Sequence, residues 1–137
     1  MPIDPARLKK VDAFIEARSS MSDQENPIEV RRESDAVVVT IKVESLDKWA
    51  GSLMVKQVRE MIDHMDSSQR LVLDLQHISH SDSSGLATLI AAQKEVQKHD
   101  VSLTLCGIGE KLLAVLHLTG IEKIFEVKKD VAAAIGG

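Results

Sequence analysis

The sequence predicts an α/β domain with a mainly parallel sheet whose strands follow sequence order. The first edge strand is antiparallel, the helices lie on one face, and a helical extension precedes the domain. Three observations carry this expectation. First, after an opening pair of strand-like segments, strand and helix patterns alternate to the end of the 137 residues, an order that calls for right-handed crossovers between parallel strands. Second, the strand segments alternate in polarity: Leu71, Leu73 and Leu75 oppose Val72 and Asp74, and Val101, Leu103 and Leu105 oppose Ser102, Thr104 and Cys106. A sheet covered by helices on both faces shows continuous apolar runs instead. Third, one face of these strands is fully apolar and the other mixed, so the crossover helices between parallel strands all take the fully apolar face. The mixed face then needs a different cover.

The N-terminal segment reads as an amphipathic helix. Asp4-Pro5 suits a cap followed by a first helical residue, and Leu8, Val11, Phe14, Ile15 and Arg18 keep helical spacing. Residues 19–27 are polar and rich in breakers, which marks a linker. The expected organisation is therefore a helix and linker over 1–26 and a compact domain over 27–137. Residues 28–32 form a short strand, 33–35 a turn, and 37–43 a strand with Val37, Val39, Ile41 and Val43 on one face. Met54, Val58, Met61, Ile62 and Met65 predict a helix over 51–65. A strand over 71–75, a helix over 83–98 and a strand over 101–106 follow. The next helix covers 110–118 and ends at Gly120, a residue type favoured just past a helix end. A short strand over 124–127 and a final helical turn over 130–135 complete the chain. The stripe Leu8, Val11, Phe14 and Ile15 suggests that the first helix covers the mixed sheet face around Val38, Val72 and Thr104, or docks on a second copy of the chain in a homodimer, the alternative being a flexible tail that orders only on a partner.

Composition removes several classes of function. Net charge is −4 and no basic block occurs, so the Lys/Arg patch that neutralises nucleic-acid phosphates is missing. No apolar run approaches the roughly 20 residues of a membrane span, and residues 1–20 do not have the pattern of a secretory signal. Cys106 is the sole cysteine, which fits a reducing cytoplasm. His77 and His80 share a loop, but no carboxylate or thiolate set converges with them in sequence, so no metal is expected. Ser83, His80 and Asp74 supply the residue types of a hydrolase triad but lack a Gly-x-Ser-x-Gly elbow. No cofactor motif appears.

The segment with the most chemistry follows the 71–75 strand. A polar loop, Gln76-His77-Ile78-Ser79-His80-Ser81, leads into Asp82-Ser83-Ser84-Gly85-Leu86 at a helix start. On local chemistry, Asp82 and Ser83 are helix caps, and Gly85 lets the first turn approach neighbouring backbone. Leu-Val-Leu-Asp-Leu at 71–75, Asp-Ser-Ser-Gly-Leu at 82–86, Leu-Thr-Leu-Cys-Gly-Ile at 103–108 and Leu-Thr-Gly-Ile-Glu-Lys-Ile-Phe at 118–125 together resemble the signature of STAS-domain anti-sigma-factor antagonists, in order and spacing. The likeness covers residues 28–135. The loop at 42–47 departs from the family habit: it keeps Leu46-Asp47 without the usual preceding Gly.

The resemblance implies that Ser83 is a phosphoacceptor and that the chain is a binding regulator without catalysis. The implied partners are an anti-sigma factor that is a serine kinase with a histidine-kinase-like ATP fold, and a metal-dependent serine phosphatase. The partner surface is expected to combine His80, Asp82, Ser83, Ser84 and Gly85 with Leu46 and the lone tryptophan, Trp49. Both segments fall at the C-terminal ends of parallel strands, where open α/β sheets place their sites. The other class the resemblance allows is a non-phosphorylated STAS subunit of an assembly such as a lipid-transport ATPase. Ser83 favours the first, because it supplies the acceptor hydroxyl.

Overall fold

The computed structural model describes residues 5–19, 27–66 and 68–136. Its elements are α1 (Pro5–Ser19), β1 (Ile28–Glu33), β2 (Ala36–Ile41), β3 (Ser45–Leu46), α2 (Lys48–Ile62), β4 (Arg70–Asp74), β5 (His80–Ser81), α3 (Ser83–Lys98), β6 (Ser102–Cys106), α4 (Glu110–Leu118), a 3-10 turn (Ile121–Ile124), β7 (Glu126–Lys128) and α5 (Val131–Gly136). The Asp4 cap, the linker residues 20–26 and the Arg18 side chain lie outside the described parts.

Among the described residues the main sheet has the order β1-β2-β4-β6-β7. β1 pairs antiparallel with β2, and every later pairing is parallel. This is the predicted architecture: a sheet in sequence order with one antiparallel edge strand. The antiparallel pair is closed by Ser34-Asp35, with Ser34 at φ 58. Residues other than glycine adopt that left-handed conformation only singly, as at this turn.

The polarity alternation resolves into two buried clusters on opposite sheet faces. Val37, Val39, Ile41, Leu71, Leu73, Leu75, Leu103 and Leu105 face Met54, Val58 and Met61 of α2 and Leu89, Ala92 and Val96 of α3. Gly51 of α2 sits so close to α3 that an added Cβ would meet the Thr88 side chain at 2.1 Å. Arg59 of α2 and Glu95 of α3 add an ion pair of 3.2 Å.

The mixed face carries Ala36, Val38, Val72 and Cys106, and α5 covers it through Ala134, Val131 and Ile135. Arg70 Nη1 donates to the Ala134 carbonyl at 2.8 Å. This corrects the expectation for the N-terminal helix. Val11 of α1 is fully buried in the cluster shared with α2 and α3, with Phe14 and Ile15 packed against it. Arg32 of β1 holds Asp12 through two N–H donors, one at 3.0 Å, and the rings of Phe14 and His64 lie 4.6 Å apart. The apolar stripe is real, but it closes the open end of the crossover-helix layer beside β1. The small C-terminal helix, nearer in space to β4, β6 and β7, takes the other face.

Candidate partner-binding rim

β3 and β5 form a separate parallel pair, Ser45 with His80 and Leu46 with Ser81. The sequence pattern does not predict this pair, because two-residue strands carry no readable alternation. This pair joins the loop before α2 to the loop before α3. Ser79 and His80 N–H donate to the Glu44 carbonyl at 2.8 and 3.4 Å, and Ser81 Oγ donates to the Leu46 carbonyl at 3.0 Å.

Each strand then runs directly into an aspartate and a helix. Asp47 Oδ1 accepts Ala50 N–H at 2.9 Å, and Asp82 Oδ1 accepts Gly85 N–H at 2.8 Å. These are matching caps on adjacent helices, each satisfying one of the free donors of a first turn. The Asp47 cap also explains why α2 begins at Lys48, three residues before the predicted start: Lys48 and Trp49 interrupt the apolar spacing, and the cap starts the helix regardless.

Gly85 is buried against the second loop. A Cβ there would lie 1.9 Å from the Leu46 carbonyl oxygen, so the close approach expected of this glycine is to backbone. Leu46 is itself fully buried, and what it offers the rim is its carbonyl. Trp49 is 61% exposed, and His80, Asp82, Ser83 and Ser84 are exposed as well. The structure thus brings the two sequence segments together. Among the described residues the Ser83 hydroxyl has no hydrogen-bond partner, while Asp82 does the capping.

The triad residue types do not assemble. Asp74 is buried and its carboxylate accepts Gln76 Nε2 at 2.9 Å, Gln76 N–H at 3.2 Å and the Thr40 hydroxyl at 3.2 Å. No hydrogen bond joins Asp74, His80 and Ser83 among the described residues. Cys106, paired in register with Asp74, is buried. Its thiol is pushed up to about 12, chiefly by burial and then by the charges of Asp74 and Asp130. Among the described residues no group of three or more His, Cys, Asp or Glu could hold a metal ion, and no helix is long and apolar enough to cross a membrane.

A family model described as the STAS domain matches residues 12–134. The chain belongs to the STAS domain family. An anti-sigma-B factor antagonist from Listeria monocytogenes is 30% identical over 74 residues, covering 53% of this chain and 65% of that relative. An anti-sigma-factor antagonist (STAS) domain protein from Planctomyces limnophilus has a TM-score of 0.69 at 16% identity, over 79% of this chain and 93% of that one. An anti-sigma factor antagonist from Mycobacterium paratuberculosis has a TM-score of 0.68 at 20% identity, over 80% and 90%. At these identities the two structures establish a shared fold. The STAS match begins at Asp12, inside α1.

Proposed function

We propose that this STAS domain is a phosphorylation-switched, protein-binding regulator of the anti-sigma-factor-antagonist kind. Unmodified at Ser83, it binds an anti-sigma factor that is also a serine kinase; a phosphate on Ser83 releases that partner, and a metal-dependent phosphatase restores binding. The chain acts in the cytoplasm and does no catalysis itself. The observation that carries this reading is the division of labour at the start of α3: Asp82 caps the helix, and Ser83 presents an uncommitted, exposed hydroxyl. The curated relatives named as antagonists support it. Ser83 favours this reading over an assembly subunit without a switch, because it supplies the acceptor hydroxyl.

Electrostatics favours a switch that acts at the interface and leaves the fold intact. A phosphate adds about −1.5 to −2 charges at neutral pH, and at the first position of α3 it meets the positive end of the helix dipole. The domain therefore tolerates the modification, while the partner meets new bulk and charge beside Trp49. The test is phosphorylation by the kinase that co-purifies with the chain from its native cell. Label on Ser83, abolished by Ser83→Ala, is the expected result. Label that persists in Ser83→Ala and maps to Ser84 or Ser81 overturns the assignment. Trp49→Ala weakens the complex by on the order of 1 kcal/mol or more if the tryptophan anchors the partner.

A further inference from the structure

Lys48 has no role in the fold described so far. It occupies the first position of α2, directly after the Asp47 cap. A cation there opposes the helix dipole, which favours negative groups at this end. Its own helix is thus slightly weakened by it. Among the described residues no ion pair compensates Lys48, and its side chain is exposed. Departures from a local rule are expected at functional or strained sites.

The β3–β5 register, continued by two residues, sets the backbone position of Lys48 opposite that of Ser83. Leu46 pairs with Ser81; one step on are the two caps, Asp47 and Asp82, and one step further are Lys48 and Ser83, each at the first position of its helix. Adjacent strands lie ~4.8 Å apart and packed helices ~8–10 Å apart, a gap that a lysine stem spans. Asp47 and Asp82 each commit an oxygen to a backbone N–H of their own helix. His80 lies in β5 and Lys111 in the first turn of α4.

We propose that Lys48 pairs in cis with a phosphate on Ser83. The inference rests on reading Ser83 as the phosphoacceptor. In the unmodified chain the ammonium is a free cation beside Trp49 on the partner-facing rim. Phosphorylation captures it, so the modification withdraws a positive charge from the surface as it adds a negative one.

The experiment needs neither kinase nor partner. Phosphoserine is encoded at position 83 of the full chain during translation, and its second ionisation, ordinarily near pH 6, is followed by phosphorus NMR. In the chain with Lys48 that ionisation lies about 0.3–0.7 pH unit below its value in Lys48→Gln, and Lys48→Arg retains the lower value. The gap shrinks in ~1 M salt, where the screening length falls to about 3 Å. His80 and Lys111 are kept in every variant. Superimposable titrations of the Lys48 and Lys48→Gln proteins overturn the pairing. That failure is separate from failure of the Ser83 reading, which shows as absence of enzymatic label on Ser83 in the unmodified chain.

Discussion

The hydroxyl of Ser81 donates to the carbonyl oxygen of Leu46 across 3.0 Å, and the first turn of α3 closes on that same oxygen at Gly85. One backbone carbonyl is therefore the contact point between the loop that leads into α2 and the loop that leads into α3. The rim has no freedom to separate the two helix starts without losing that hydrogen bond and opening the Gly85 contact. Under the proposed function, a partner docking on Trp49 and Ser83 would meet a surface already assembled, with little ordering cost left for the binding step.

Gly85→Ala is expected to destabilise the domain by about 1–3 kcal/mol, the usual cost of forcing a methyl into filled space. The obstructing atom is a backbone oxygen, which a rotamer change cannot move aside. Ser81→Ala removes one hydrogen bond and costs about 1 kcal/mol. Urea unfolding measures both. A Gly85→Ala protein with an unchanged midpoint would show that the rim relaxes freely and is not a fixed surface.

The two residues at the start of α3 separate in the same assay. Asp82→Ala removes the acceptor for Gly85 N–H and costs about 1 kcal/mol. Ser83→Ala changes an exposed side chain with no hydrogen-bond partner among the described residues, so its effect stays within ~0.5 kcal/mol. Equal losses in the two variants would give Ser83 a capping role and take away the argument that its hydroxyl is uncommitted.

The sheet order was legible because alternation at Leu71 to Leu75 and again at 101–106 assigns each residue to a face, and the crossover helices keep their own period between those strands. The start of α3 was legible from Asp82 and Gly85 for the same local reasons that the structure shows. What was not legible depends on contacts distant in sequence. β3 and β5 are too short for a pattern and exist because Leu46 and Ser81, far apart in the chain, meet. The stripe on α1 could be read from its spacing, but not the face that would receive it: Val38 and Val72 offered an apolar target as plausible as the one used. The strand predicted over 124–127 begins too early, because Gly120 at φ 75 first sends the chain through a 3-10 turn before Phe125 is buried and β7 begins.

Cys106 provides a pH-dependent prediction. Burial first, then Asp74 and Asp130, raise its thiol from an ordinary value near 9 to about 12. The unfolded chain loses that proton above pH 9 while the folded chain retains it, so the unfolded state binds fewer protons and stability falls with rising pH. The contribution is complete below pH 9 and is lost progressively toward pH 12. Cys106→Ala removes this component of the alkaline slope between those limits, and native-state alkylation of the wild-type thiol at pH 8 is slow compared with alkylation in urea. Rapid native alkylation at pH 8 would contradict the buried, protonated thiol.

The docking of α1 makes the last prediction. Its partners are a fully buried Val11, the Arg32–Asp12 pair and the Phe14–His64 ring contact. The ion pair is partly exposed, and pairs of that sort contribute about 0–1 kcal/mol, so the apolar contacts do most of the holding. Asp12→Ala is thus expected to leave α1 in place. Val11→Asp puts an unpaired charge into the core, and the least costly response is release of a terminal helix that takes no part in the sheet. Amide hydrogen exchange distinguishes the two variants. Backbone amides of residues 8–15 are protected in the wild type and in Asp12→Ala, and exchange rapidly in Val11→Asp, while β4 and α3 keep their protection in all three proteins. Rapid exchange over 8–15 in the wild type would mean that α1 spends most of its time undocked. Simultaneous loss of protection in α3 on Val11→Asp would mean that the helix is required for the fold of the whole domain.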